Sequence, residues 1–183
     1  DLGLIAIEEA GRLVGYNLVV GGGLGMSHGN KETFPRIGDL TGYFTPDKLV
    51  DVARSVLLVH RDFGDRTNRK HARLKYVLEE KGVAWFRQEL EKRLGYSLSE
   101  SRPFKFTKQG DLFGWYRQED GRWFLGLYVE TGRIKDREGF TLKAALKEIA
   151  EKYAPEVRLT PSQNLLLVNI NEADRAGVNA ILK

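Results

Sequence analysis

Short apolar runs and helical stripes alternate along this chain, and the elements follow from that alternation. Leu4 to Ile7 and Leu13 to Val20 are strand-like runs on either side of Glu8-Glu9-Ala10-Gly11-Arg12, the pattern of a hairpin. The apolar rhythm then stops, and the stretch from Gly21 to about Tyr43 reads as one long glycine-rich loop. Thr45-Pro46-Asp47 is a helix start: Thr45 can cap, Pro46 suits the first turn, and Asp47 suits the positive end. Leu49, Val52, Ala53, Val56 and Leu57 recur at helical spacing and predict one buried stripe, broken at Asp62-Phe63-Gly64-Asp65. A second helix is expected from about Asn68 to Glu80, with basic residues on one face and Ala72, Tyr76 and Val77 on another. A third runs from Val83 to Leu94, where Gly95 ends it.

Past a polar linker around Pro103 the texture changes. Residues 113–117 and 123–129 flank Glu119-Asp120-Gly121, a hairpin turn. Thr141 is placed to cap a helix with Leu142, Ala145, Leu146 and Ile149 inward. Val157 to Thr160 and Leu165 to Val168 read as strands around Pro161-Ser162-Gln163-Asn164, and Asn171 opens a last helical pattern. Strands and helices interleaved in this way predict an α+β fold whose second half is ferredoxin-like. The chain divides at the linker into residues 1–100 and 105–183.

Composition narrows the class. Of 183 residues, 42% are hydrophobic and 10% aromatic, enough for a packed core. No apolar run approaches membrane-spanning length and no signal-peptide pattern is present, so a cytoplasmic protein is the default expectation, with no membrane partner. There is no cysteine, which excludes disulfides and any thiolate-ligated metal held by this chain alone. The sequence starts directly in a strand and stops inside a helical pattern, and is read as a piece of something longer. The net charge is +4, but Arg61, Arg66, Arg69, Lys70, Arg73 and Lys75 crowd into one stretch with His71, against Asp62 and Asp65. Such a cluster points to an anionic partner.

The candidate chemistry lies where the first strand pair ends. Gly21-Gly22-Gly23-Leu24-Gly25 is followed by Ser27, His28, Asn30, Lys31 and Arg36, a glycine loop running into donors, which can cradle an anion. Taken alone the segment is equally a surface loop. It lacks the ending of a P-loop, and no helix follows soon enough for a dinucleotide fingerprint. No hydrolytic signature stands out, His28, His60 and His71 lack metal-ligand spacing, and His60 reads as a helix-closing residue.

Four blocks then stand together. They are Gly15-Tyr16-Asn17-Leu18-Val19-Val20-Gly21-Gly22-Gly23-Leu24-Gly25 with His28-Gly29-Asn30-Lys31, Thr33-Phe34 and Arg36; Arg66-Thr67-Asn68-Arg69-Lys70 with Arg73, Lys75 and Tyr76; Gly114-Trp115 with Gly132-Arg133-Ile134; and Arg158 through Leu165. In this order they resemble the haemoproteins of assimilatory sulfite reductases, within the sirohaem nitrite/sulfite reductase family. His28-Gly29-Asn30-Lys31 and Arg69-Lys70 favour sulfite over nitrite.

That resemblance implies an internal fragment of an oxidoreductase that reduces sulfite to sulfide by six electrons. Its cofactors would be sirohaem and a 4Fe-4S cluster whose ligands lie outside this chain. Sulfite would be the substrate, a flavoprotein or ferredoxin the electron donor, and the remainder of its own polypeptide a further partner. Residues 1–100 would be part of the first sirohaem-binding domain, and 105–183 the ferredoxin-like half-domain of the second repeat. Sirohaem carries eight carboxylates, so a cage of donors is expected: Gly22, Gly23, Gly25, His28, Asn30, Lys31, Arg36, Arg69, Arg73, Lys75, Gln163 and Asn164. Asn30 could instead cap a turn, and Gln163-Asn164 could serve only loop backbone. No catalytic residue and no metal ligand is expected in the chain, which alone would be inactive. The alternatives are a nitrite reductase of the same family, a non-catalytic scaffold, and a nucleic-acid-binding module using the basic helix. Under the main reading no nucleic acid is expected.

Overall fold

In the computed structural model of the protein the described residues are 1–108 and 110–183. They form two units, Asp1–Lys105 and Phe106–Lys183, each treated by itself. The expected hairpin is present as β1 (Leu2–Glu9) and β2 (Arg12–Val20), antiparallel. They are joined at Ala10-Gly11, where both φ angles are positive, 50° and 74°; a turn of that hand matches the twist of the strands it joins. A third strand, β3 (Asp39–Phe44), pairs antiparallel with β2, giving the order β1-β2-β3. This strand lies inside the stretch expected to be loop. Its run is short and mixes Asp39, Thr41 and Gly42 with Leu40, Tyr43 and Phe44, which hides the alternation. What makes it a strand is tertiary: Thr41, Tyr43 and Phe44 are buried, and Gly42 leaves room for Leu98, whose Cβ a side chain there would meet at 2.8 Å.

After a turn at Pro46–Lys48 comes α1 (Leu49–Phe63), then α2 (Leu74–Lys81) and α3 (Val83–Leu94). The core packs Leu18, Val20 and Phe44 of the sheet against Val52, Val56 and Val59 of α1, Leu74, Val77 and Leu78 of α2, and Phe86 and Leu90 of α3. The buried stripe of α1 is therefore 52, 55, 56 and 59, and the expected member Leu57 is 65% exposed. One residue beyond Val56 is a 100° rotation, which carries Leu57 off the stripe.

The basic stretch is not one helix. Asp65 accepts from the backbone N–H of Thr67 at 2.8 Å and of Asn68 at 2.9 Å, and the Asn68 side chain accepts from Lys70 N at 3.1 Å. Side chains that take backbone donors compete with helix formation, so Arg69–His71 makes a single tight turn. The helix begins only after Arg73, which sits extended at its N-cap.

Beyond α3, which ends at Gly95 as expected, Ser99 exchanges backbone hydrogen bonds with Tyr43 at 2.9 and 3.0 Å. The fully buried carboxamide of Asn17 is held by the backbone of Arg102: Nδ2 donates to the carbonyl at 2.7 Å and Oδ1 accepts from the N–H at 2.9 Å. Residues up to Arg102 are thereby tied to the first sheet.

The second unit contains β4 (Gly114–Arg117), β5 (Trp123–Leu127), α4 (Leu142–Tyr153), β6 (Glu156–Leu159), β7 (Leu165–Ile170) and α5 (Arg175–Ile181). Its sheet has the order β4-β5-β7-β6, with every neighbouring pair antiparallel. Leu125, Leu165, Leu167 and Ile170 meet Ile149 of α4 and Val178 of α5 in its core. The chain is α+β, as the alternation of elements predicts. One detail departs from the sequence expectation. Thr141 makes no side-chain cap on α4; Asp136 does, accepting from the N–H groups of Lys143 at 2.8 Å and Ala144 at 3.1 Å. Among the described residues no helix is long and apolar enough to cross a membrane.

Candidate functional site

The glycine loop leaves β2 by turning at Gly21, whose φ is 72°. A Cβ there would stand 2.7 Å from Leu78 Cγ, so the loop can press onto α2 only because position 21 has no side chain. Gly23 then pairs with Arg36 across the loop, with N–H···O distances of 2.8 and 3.0 Å in the two directions. Further out the chain folds around the buried Thr33 hydroxyl, which accepts from Ser27 N at 2.8 Å and donates to Asn30 O at 3.0 Å. Asn30 Oδ1 accepts from Glu32 N at 3.0 Å. Phe34 meets the ring of Tyr76 edge-on at 5.4 Å, and His71 stacks on Tyr76 at 3.8 Å.

Three cations reach this loop in different ways. Lys75 is fully buried, and its ammonium donates to the carbonyls of Gly25 at 2.6 Å, Gly23 at 3.2 Å and Phe34 at 2.5 Å. Burial pushes its pKa below the ordinary 10.5, and the charge of Arg73 adds to that. Arg36 donates from Nε to Glu79 at 3.0 Å, from Nη2 to Asp39 at 2.7 Å, and from Nη1 to the carbonyls of Gly21 and Ile37 at 3.2 and 3.3 Å. Burial opposes its charge, but the hydrogen bonds to Asp39 and Glu79 outweigh that and raise its pKa. Arg73 is the one left half-open. Its guanidinium holds the Asp1 carboxylate and occupies the space a Cβ at Gly23 would need; a Cβ at Gly25 would stand 3.2 Å from its Nη1.

Beside the loop runs a groove of about 290 Å³, lined by Gly3, Gly22, Gly23 and Gly38 with Leu2 and Val19. Bare backbone on this scale allows a flat ligand to come close. His28 and Lys31 are exposed on the outer loop, and Arg69 and Lys70 on the turn before α2.

Gln163 and Asn164 belong to the second unit, in the turn between β6 and β7. They part company there. Asn164 is buried: Oδ1 accepts from Val129 N at 2.8 Å and Nδ2 donates to Asp111 at 2.7 Å, while the Thr160 hydroxyl donates to the same Asp111 oxygen at 2.6 Å. Gln163, with φ of 65°, is exposed and lies against Gly132, where a Cβ would stand 2.5 Å from its Oε1. A cavity of about 260 Å³ opens beside it over Ile134, Leu159 and Leu165. Asp111, which nothing in the sequence singled out, and Thr33, which the sequence marked only as part of the resemblance and not as a loop anchor, organise these loops. Each acts by a side-chain hydrogen bond to a partner too distant, or too local and irregular, for periodicity to show.

Residues 1–98 match the model of the nitrite and sulphite reductase 4Fe-4S domain, and residues 116–183 that of the nitrite/sulfite reductase ferredoxin-like half domain. The chain belongs to the nitrite and sulfite reductase family. Among curated relatives, the sulfite reductase [NADPH] hemoprotein beta-component of Myxococcus xanthus is 50% identical over 182 residues, and that of Lysinibacillus sphaericus 43% identical over 183. In both cases all of this chain is covered, but it spans only 32% of the relative's length. Among solved structures, Mycobacterium tuberculosis NirA superposes with a TM-score of 0.78 at 26% identity, over 98% of this chain and 32% of NirA.

The two groups that the family implies fare differently against these residues. A 4Fe-4S cluster needs thiolates, and the chain has no cysteine, so it does not ligate one. A tetrapyrrole rich in carboxylates fits: the glycine-lined groove offers close approach, and Arg73 beside it already holds a carboxylate.

Proposed function

We propose that this chain is the part of a sulfite reductase haemoprotein that supplies much of the sirohaem cage. The observation that carries the reading is Arg73, half-open, seated against Gly23 and Gly25 and paired with a carboxylate. The names of the relatives support sulfite as the substrate. Within the cage we assign two tasks. Gly22, Gly23 and Gly25 let the macrocycle approach, while Arg73, Arg69, Lys31, His28 and Gln163 take its carboxylates; a guanidinium can do so with two parallel hydrogen bonds. Lys75, Arg36, Asn30 and Asn164 shape the loops that present those donors: the first two and Asn164 spend their polar atoms on loop backbone or neighbouring carboxylates, and Asn30 spends its Oδ1 on Glu32 N. Lys75 is therefore a pin under the glycine loop rather than a point charge facing the ligand.

Sirohaem, when bound, supplies the iron at which sulfite takes up six electrons. The part of this chain is to bind it, orient it and shut water from its glycine-lined face. Electrons would come from a separate flavoprotein: NADPH gives up two at a time as hydride, a haem accepts one, and a flavin bridges the two regimes. A cytoplasmic setting goes with that donor. The 4Fe-4S cluster would be held by the remainder of the polypeptide.

Purified intact protein, supplied with a reduced viologen dye, tests the reading. Sulfide formed from sulfite, together with sirohaem absorbance, is the expected result. Ammonia from nitrite with no sulfide from sulfite would move the function to nitrite reduction.

The basic stretch supports the nucleic-acid alternative poorly. Arg61 is paired with Asp62 at 2.6 Å, Arg66 donates to the His60 carbonyl at 3.0 Å, and Lys75 is buried. Arg66, Arg69 and Lys70 are the exposed cations of the stretch with no carboxylate partner among the described contacts, too few for a phosphate-tracking face.

A further inference from the structure

The segment between β5 and α4 carries a second set of cations. At its start Thr131 and Gly132 both take left-handed backbone, with φ of 55° and 68°. Thr131 is β-branched, and a residue of that kind in this region is held there by its surroundings. The turn is closed by Gly132 N to Val129 O at 2.9 Å and Arg133 N to Glu130 O at 3.2 Å. Arg133 is extended, with φ of −107° and ψ of 111°, and from there the side chains divide between two cavities. Gly132 and Ile134 face the cavity beside Gln163, whereas Arg133, Lys135 and Arg137 line a separate cleft of about 340 Å³ with Thr131 and Phe140.

Charge in that cleft is unbalanced. Its one carboxylate, Glu130, pairs with Arg137, whose guanidinium also lies 5.4 Å from the centre of the Phe140 ring. The nearby Asp136 is turned to the N-terminus of α4, where it caps two N–H groups. Three cations against one anion leave an excess of two positive charges around a space large enough for a small organic molecule. The exposed Thr131 hydroxyl adds a neutral donor, and Phe140 an apolar wall.

We propose that this cleft binds a compact organic polyanion, a phosphate ester or a di- or tricarboxylate, through Arg133, Lys135 and Arg137 with Phe140 against its carbon body. The proposal stands on the cleft alone and does not depend on the sirohaem assignment.

Lysine acetylation read peptide by peptide in a mass spectrometer tests it on the intact protein. The probes are pyrophosphate, citrate and sodium chloride at matched ionic strength, with Lys147 on the exposed face of α4 as the internal control. Pyrophosphate or citrate at about twice its dissociation constant should slow labelling of Lys135 about threefold, since a third of sites remain free, and leave Lys147 unchanged. Protection by pyrophosphate alone identifies a phosphate ester as the ligand class; protection by citrate identifies a polycarboxylate. Arg133→Ala should abolish the protection in either case. Slowing no greater than that given by chloride, or protection that survives Arg133→Ala, would overturn the proposal, and the first of these needs no variant.

Discussion

Arg73 and Gly23 occupy one site between them: the guanidinium of the first fills the space that a side chain on the second would need. This ties the start of α2 to the glycine loop and explains why the two blocks, fifty residues apart in sequence, act as one element. Gly23→Ala would push the guanidinium aside. A flexible side chain can yield, so the expected effect on stability is small, below about 1 kcal/mol. The expected effect on bound sirohaem is large, because the donor moves. Gly21→Ala should do the reverse. Its φ of 72° and the Leu78 side chain leave no room for relaxation, and a loss of about 1–3 kcal/mol in urea unfolding is expected.

Lys75 sets a pH dependence. Its pKa in the fold is lowered by burial first and by Arg73 second, whereas in the unfolded chain it returns to about the ordinary 10.5. Between those two values the unfolded state binds the extra proton, so stability rises with pH across that window and is flat below it. Lys75→Met leaves three loop carbonyls without their donor and should cost about 1–3 kcal/mol at neutral pH. The variant should also lose the rise with pH. Urea unfolding of both proteins from neutral pH up to about 10.5 checks the sign; a parallel rise in the variant would show that another group is responsible.

Neighbours in one turn should separate cleanly. Asn164→Ala removes an acceptor from Val129 N and a donor to Asp111 inside the fold, and should destabilise by about 1–3 kcal/mol. Gln163→Ala, on an exposed side chain, should leave the melting temperature of the cofactor-free protein nearly unchanged while lowering sirohaem content. Thermal melts of the cofactor-free proteins and cofactor absorbance of the loaded ones distinguish the two.

At α4 the cap is expected to reside in Asp136. Asp136→Ala should cost about 0.5–2 kcal/mol, the range for a lost N-cap, whereas Thr141→Ala should cost little. A loss in Thr141→Ala with little in Asp136→Ala would place the cap at Thr141 instead.

Much of this architecture is legible in the sequence, for local reasons. The first hairpin, α1, α3 with its Gly95 end, and the strands around Gln163 follow from periodicity and turn residues over fewer than about twenty positions. What periodicity could not show was decided at a distance. β3 is a strand because Leu98 and β2 enclose it, and the basic stretch breaks into a turn and a cap because Asp65 and Asn68 take its backbone donors. The glycine loop and its donors were legible as composition, but not how each donor's polar atoms are used within the fold. Lys75 and Arg73 are two residues apart and equally basic on paper. One points under the loop and is used up there; the other stays at its edge with a carboxylate. Only the direction each side chain leaves the first turn of α2 separates them.

The most direct measurement is sirohaem absorbance per chain in the intact protein, purified with Arg73 and with Arg73→Glu. Normal cofactor content in the first and little or none in the second, with an unchanged far-UV circular dichroism spectrum, is the result expected if Arg73 holds a carboxylate of the macrocycle. Full sirohaem content in Arg73→Glu would contradict the cage as assigned here.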